Sequence, residues 1–151
     1  MTRPGYLRLA AGVFGVVAVA GAIRSMMEGP ETIDVTEHHL VHAGLMLLSI
    51  LSALLLARAR RDAERRTEAP GWLVPAVLAP LAAMVLMVPT FYPYLENHPA
   101  VHALSHLALV VVAFVTAWCG ERYRRGIGIA TSLLLEVMAV AAAFGWGVSV
   151  P

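Results

Sequence analysis

The sequence predicts an all-α integral membrane protein. It reads as a five-helix transmembrane bundle, N-terminus in and C-terminus out, with two parallel helical-hairpin repeats plus one extra helix. Three observations lead there. The 151 residues are 59% hydrophobic and only 14% charged, against roughly 25% charged in a soluble domain. Five apolar runs alternate with polar segments, each near the ~20 residues that cross a ~30 Å hydrocarbon core as a helix. Every basic residue is Arg, and the arginines gather in alternate connecting segments. Because lipid offers no hydrogen bonds to the backbone, helices are the expected spanning form.

The first run, Tyr6 to Met27, follows Arg3 and Arg8. With the triplet Ala18-Val19-Ala20 it also fits a cleaved secretory signal, which would leave four spans. The apolar stretch continues past Ala20 to Met27, which favours a retained helix. The second run, Leu40 to Ala57, opens on a histidine-rich segment and closes on Arg58, Arg60, Arg61, Arg65 and Arg66. The third covers Trp72 to Tyr92. The fourth, Val101 to Trp118, again opens on histidines and closes on Arg122, Arg124 and Arg125, and the fifth covers Ile127 to Val150.

By the positive-inside rule the arginine-bearing segments and the N-terminus are cytoplasmic. The chain then belongs in the cell inner (plasma) membrane as one multi-pass domain over residues 1–151. The other two loops face the outer, periplasmic side with Glu28, Glu31, Asp34, Glu37, Glu96 and all six histidines; only Arg24 opposes this pattern. Tyr92, Tyr94 and Trp146 suit an outer aromatic belt, and Trp72, Trp118 and Tyr123 an inner one. The lone Cys119 excludes an internal disulfide.

Sliding the chain by sixty positions lays His38 on His98, Val41 on Val101, His42 on His102, Ala43 on Ala103 and Leu47 on Leu107. The offset suggests a duplication, with one repeat over about 6–58, a second over about 72–119, and an extra helix over about 127–149. Parallel repeats place shared sites between their halves. Thr36 and Asn97 are acceptable N-caps, so the histidine helices are expected to start just after them. Residues four apart share a helix face. His38, His42 and Met46 then form one stripe, and His98, His102 and His106 a second.

Histidine is the commonest metal ligand. The expected metal set is His38, His42, His98, His102, His106 and Met46, with His42, His102 and His106 deepest and His38, His39 and His98 at an exposed mouth. Nitrogen with thioether donors suits copper, and Met84 and Met87 fall at similar depths; imidazoles alone also suit zinc. A b-type haem held by His42 and His102, or by His42 and His106, is the competing use, with Ala43 and Gly44 offering room, which would make the chain an electron-transfer or quinone-interacting membrane subunit. The blandest alternative is a scaffold subunit whose interfacial histidines tune packing.

Glu136 stands near the middle of the fifth run, about 8 Å deeper than His106. An intramembrane carboxyl is costly and is a functional candidate, as a proton relay or a helix-to-helix hydrogen bond. No nucleophile triad, phosphate loop or nucleotide motif is present, so soluble-type enzymatic turnover is not expected. The arginine-rich loop sets topology and does not imply nucleic acid.

The runs His38-His39-Leu40-Val41-His42-Ala43-Gly44-Leu45-Met46 and His98-Pro99-Ala100-Val101-His102-Ala103-Leu104-Ser105-His106 resemble the histidine-bearing helix starts of the CtaG-type membrane proteins. That family is linked to copper delivery and to assembly of haem-copper oxidases. The resemblance implies an outward-facing copper site at His42, His102 and His106, and copper handling or support of a respiratory or copper-enzyme complex. Its partners would be the lipid bilayer and an oxidase or other membrane client. The two runs cover about a fifth of the chain. Family members are longer with more spans, which would make this chain a reduced relative.

Overall fold

The computed structural model describes residues 3–27, 35–61, 70–87, 92–124 and 126–144. The helices are α1 (Arg3–Met27), α2 (Val35–Arg61), α3 (Leu73–Met87), α4 (Tyr92–Asn97), α5 (Pro99–Tyr123) and α6 (Ile127–Ala143). A single 3-10 turn, Pro70–Trp72, leads into α3. Among the described residues, four segments are long and apolar enough to cross a membrane: Gly5–Met27, Thr36–Arg60, Pro70–Met87 and Pro99–Tyr123. A further apolar helix, α6, has 17 residues and falls short of those four spans.

Contacts at the two ends of the bundle fix the helix directions. At one end the histidines of α2 and α5 meet, with His38 and His106 rings 5.1 Å apart. At the other, Arg60 of α2 sits over Trp118 of α5, and Arg122 of α5 over Trp72 before α3. Helices α2 and α5 therefore run parallel, and α1, α3 and α6 run opposite to them. Ser49 Oγ donates to the Val110 carbonyl at 2.7 Å, tying α2 to α5, and Ser52 Oγ donates to the Ala11 carbonyl at 2.7 Å, tying α2 to α1.

The core is built from small residues. Ala18, Ala22, Ala53, Ala76, Ala83, Ala113 and Ala117 are all buried, and small side chains let helix backbones approach closely in a membrane bundle. Between α5 and α6 the backbones approach closely. A Cβ on Gly120 would lie 2.6 Å from the Gly128 Cα, so the contact admits glycine only. The turn between these helices uses Gly126 at φ +88°, and Glu121 accepts its backbone N–H at 3.1 Å. Large apolar residues such as Val16, Leu78 and Val137 point outward, where lipid rather than water suits them.

Several expected boundaries shift. Helix α2 begins at Val35, so Thr36 lies inside it rather than capping it. The third apolar run is divided: α3 ends at Met87, and Tyr92–Asn97 forms the separate α4. The N-cap of α5 is His98, not Asn97, with Pro99 at the first helical position. A residue preceding proline is driven out of the helical region, and His98 accordingly adopts φ −130° and ψ 74°. The fifth run is helical to Ala143. Trp146, Glu28, Glu31, Asp34, Arg65, Arg66 and Arg125 lie outside the described residues.

Candidate metal centre

The opening turns of α2 and of α5 bring four imidazoles together, the fourth and eighth residues of each helix. His38 and His42 stand one turn apart on α2, and one Nε2 donates its N–H to the other at 3.1 Å. On α5, His102 and His106 are likewise one turn apart, with ring centroids 4.7 Å apart. Across the helix interface the His42 and His106 rings approach to 4.1 Å, and those of His38 and His102 to 5.5 Å. One ring nitrogen from each of His38, His42 and His106 lies within 4.8 Å of the other two.

Burial deepens along each pair. His42 retains 6% of its surface and His106 only 4%, while His38 and His102 are half-buried. Neither Nδ1 nor Nε2 of His106 has a hydrogen-bond partner among the described residues. A buried polar group left in that state costs about 1–3 kcal/mol.

The donor geometry suits a small cation. Metal–imidazole bonds of about 2.0–2.1 Å in a tetrahedral site put ligand nitrogens roughly 3.3 Å from one another. The His38–His42 pair already has that spacing, and His106 closes the set with a movement of about 1–1.5 Å, within side-chain rotation. Next to the cluster is a cavity of about 20 Å³ walled by His39, His42, Met46, Met87 and Leu109, together with Ala43, Ala139 and Ala142. Met46, fully buried, and Met87 thus share this cavity with His39 and His42. Met84 does not line this cavity.

The expected residues separate into three groups. His38, expected at the mouth, belongs to the inner trio with His42 and His106, and His102 lies against it. His39 walls the cavity instead of standing outside it. His98 stands apart: it is exposed, its Nδ1 donates to the Tyr94 carbonyl at 2.8 Å, and its ring stacks on Tyr94 at 4.1 Å. The second stripe therefore contains His102 and His106 without His98. The cause is Pro99, which stands where the first segment has His39 and delays the start of α5. Gly44 faces outward and leaves no room beside the imidazoles.

Glu136 is on α6, with Oε1 buried and unpartnered among the described residues. Ser132, one turn away, was not singled out from the sequence, although its four-residue spacing from Glu136 was readable there. No protein-family model, curated protein or solved structure matches the chain. The likeness to the CtaG-type proteins rests on the histidine runs alone.

Proposed function

We propose that this chain is a membrane metal-binding protein that holds one transition-metal ion, copper, between α2 and α5. His38, His42 and His106 would supply the three nitrogens, with His102 beside them as a fourth ligand or an orienting partner. The observation that carries this reading is His106: a buried imidazole, both nitrogens without a hydrogen-bond partner among the described residues, with one ring nitrogen within 4.8 Å of nitrogens of His38 and His42. An ion would satisfy a nitrogen that the protein leaves unsatisfied. Three imidazoles alone suit Zn(II) as well as copper; the sulfurs of Met46 and Met87 next to the site favour Cu(I).

Two features speak against the haem alternative. A cavity of about 20 Å³ holds a single ion or water, far below the roughly 300–1,000 Å³ of pockets for larger ligands. The His42 and His106 rings also touch directly, with no slot between them for a macrocycle.

The arginines of α2 and α5 gather at the end opposite the histidines, so the positive-inside rule puts the metal on the outer face of the membrane. The α1–α2 and α3–α5 hairpins have the same sense and suit the proposed duplication, with α6 added. The CtaG resemblance adds the role: copper handling or support of a respiratory or copper-enzyme complex on the periplasmic side of the inner membrane.

X-ray absorption of the copper-loaded protein in lipid nanodiscs tests the site. The expected spectrum has three or four imidazole nitrogens at about 2 Å, with a sulfur shell if Met46 joins. A spectrum lacking imidazole scattering would refute it.

A further inference from the structure

Deeper in the bundle, Ser132 and Glu136 form a second polar feature. They are four residues apart on α6 and share a face, and that side of the helix carries Leu135 and Ala139 into the core. Ser132 retains 3% of its surface, and neither its Oγ nor Glu136 Oε1 has a hydrogen-bond partner among the described residues. Helical side chains lean toward the N-terminus, so the Glu136 carboxyl can reach back toward Ser132 by side-chain rotation.

The Gly120–Gly128 contact sets the antiparallel register of α5 and α6. Counting from it, Ser132 comes to the level of Thr116, Glu136 to that of Val112, and Ala139 to that of Leu109. Ala139 and Leu109 do share the wall of the cavity beside the histidines. Thr116 is fully buried and donates its hydroxyl proton to the Val112 carbonyl at 2.9 Å. It has only acceptor capacity left. A carboxylic acid suits those neighbours: its O–H can give to Thr116 Oγ1, and its carbonyl can accept from Ser132.

No charge is available to balance a carboxylate at this level. Residues 9–23 of α1, 43–57 of α2, 73–87 of α3 and 107–120 of α5 contain no acidic or basic side chain. Their one titratable group is the Cys119 thiol, buried near the arginine end. The histidine tier lies about 9 Å away along the helix axis, six residues of α6. An ionised carboxyl in such surroundings neutralises rather than remain charged.

We propose that Ser132 and Glu136 form an exchangeable proton-binding site in the middle of the bundle, separate from the histidine cluster and reached from it through water. The cavity of about 20 Å³ has room for one water. Its Ala139 wall lies about 4.5 Å along the axis from the level of the Glu136 backbone, so a carboxyl rotated to that side comes within reach of the water. The site supplies a proton-carrying step through the membrane interior, and it stands whether or not the histidines hold a metal.

The test uses dicyclohexylcarbodiimide on the full chain in phosphatidylcholine vesicles. This reagent takes up a protonated carboxyl: the acid proton passes to nitrogen, a C–O bond forms, and acyl migration leaves a stable N-acylurea. Peptide mapping should find the adduct on Glu136 in the native chain and none in Glu136→Gln. The labelling rate should fall about tenfold for each pH unit above the midpoint as the proton is lost, and Ser132→Ala should move the midpoint. Absence of a Glu136 adduct would overturn the proposal. So would a rate independent of pH, which marks a carboxyl that never releases its proton. The native chain alone decides both outcomes, so a variant that fails to fold does not blunt the test.

Discussion

Replacing His38 and His98 separately by Ala separates geometry from sequence symmetry. The two residues align under the sixty-residue offset, so a site built on the repeat would lose equally from either change. The structure makes them unequal. His38 contributes one of three nitrogens within 4.8 Å of each other and already sits 3.1 Å from His42. His98 caps α5 and spends its Nδ1 on the Tyr94 carbonyl. Losing a group that only orients a metal ligand costs 10–100-fold in affinity. A direct ligand costs at least the upper end, so His38→Ala should weaken binding about 100-fold, or about 2.7 kcal/mol. His98→Ala is an exposed change outside the cluster, worth within about 0.5 kcal/mol, roughly twofold. Anaerobic competition against a chromophoric Cu(I) chelator reads both affinities, with circular dichroism verifying that each variant is folded. Equal losses from two folded variants would refute the assignment.

Further consequences are open to measurement. Gly120→Ala puts a methyl 2.6 Å from the Gly128 backbone; forcing α5 and α6 apart should cost about 1–3 kcal/mol, seen as a lower unfolding temperature in detergent. Ser49→Ala removes the 2.7 Å bond to Val110 between the two histidine helices, and denaturant titration should show a loss of about 0.6 kcal/mol, at most about 1.7. Metal binding should weaken as pH falls. The ligands must be neutral imidazoles, so protons compete for the same lone pairs, and chelator competition at about pH 7.5 and about pH 5.5 should show weaker retention at the lower value.

The membrane character was legible because length and apolarity act locally: a run of some twenty apolar residues has few alternatives to a spanning helix. The stripes on α2 and α5 were equally readable, since a four-residue spacing fixes a shared face whatever surrounds it. What the spacing hides is where each helix begins. Thr36 and Asn97 are both good caps by residue type, yet α2 starts before the first, and Pro99 makes His98 the cap of α5. Aligned by the sixty-residue offset, α5 starts four residues later than α2, which takes His98 out of the cluster and leaves His38 in it. The separate α4 depends on how the chain returns to α5, which no apolar count describes. Ser132 is silent in the sequence for a related reason. A serine in an apolar helix carries no signal until the structure shows its hydroxyl buried with no hydrogen-bond partner among the described residues.

Elemental analysis of copper retained per chain is the most direct test of the metal centre. It compares the native protein with the His42→Ala/His106→Ala double variant, both folded, loaded with Cu(I) and washed of loose metal. A site of this geometry predicts one copper per native chain and almost none in the variant, which keeps only His38 of the trio. Equal copper in the two would contradict a metal centre between α2 and α5.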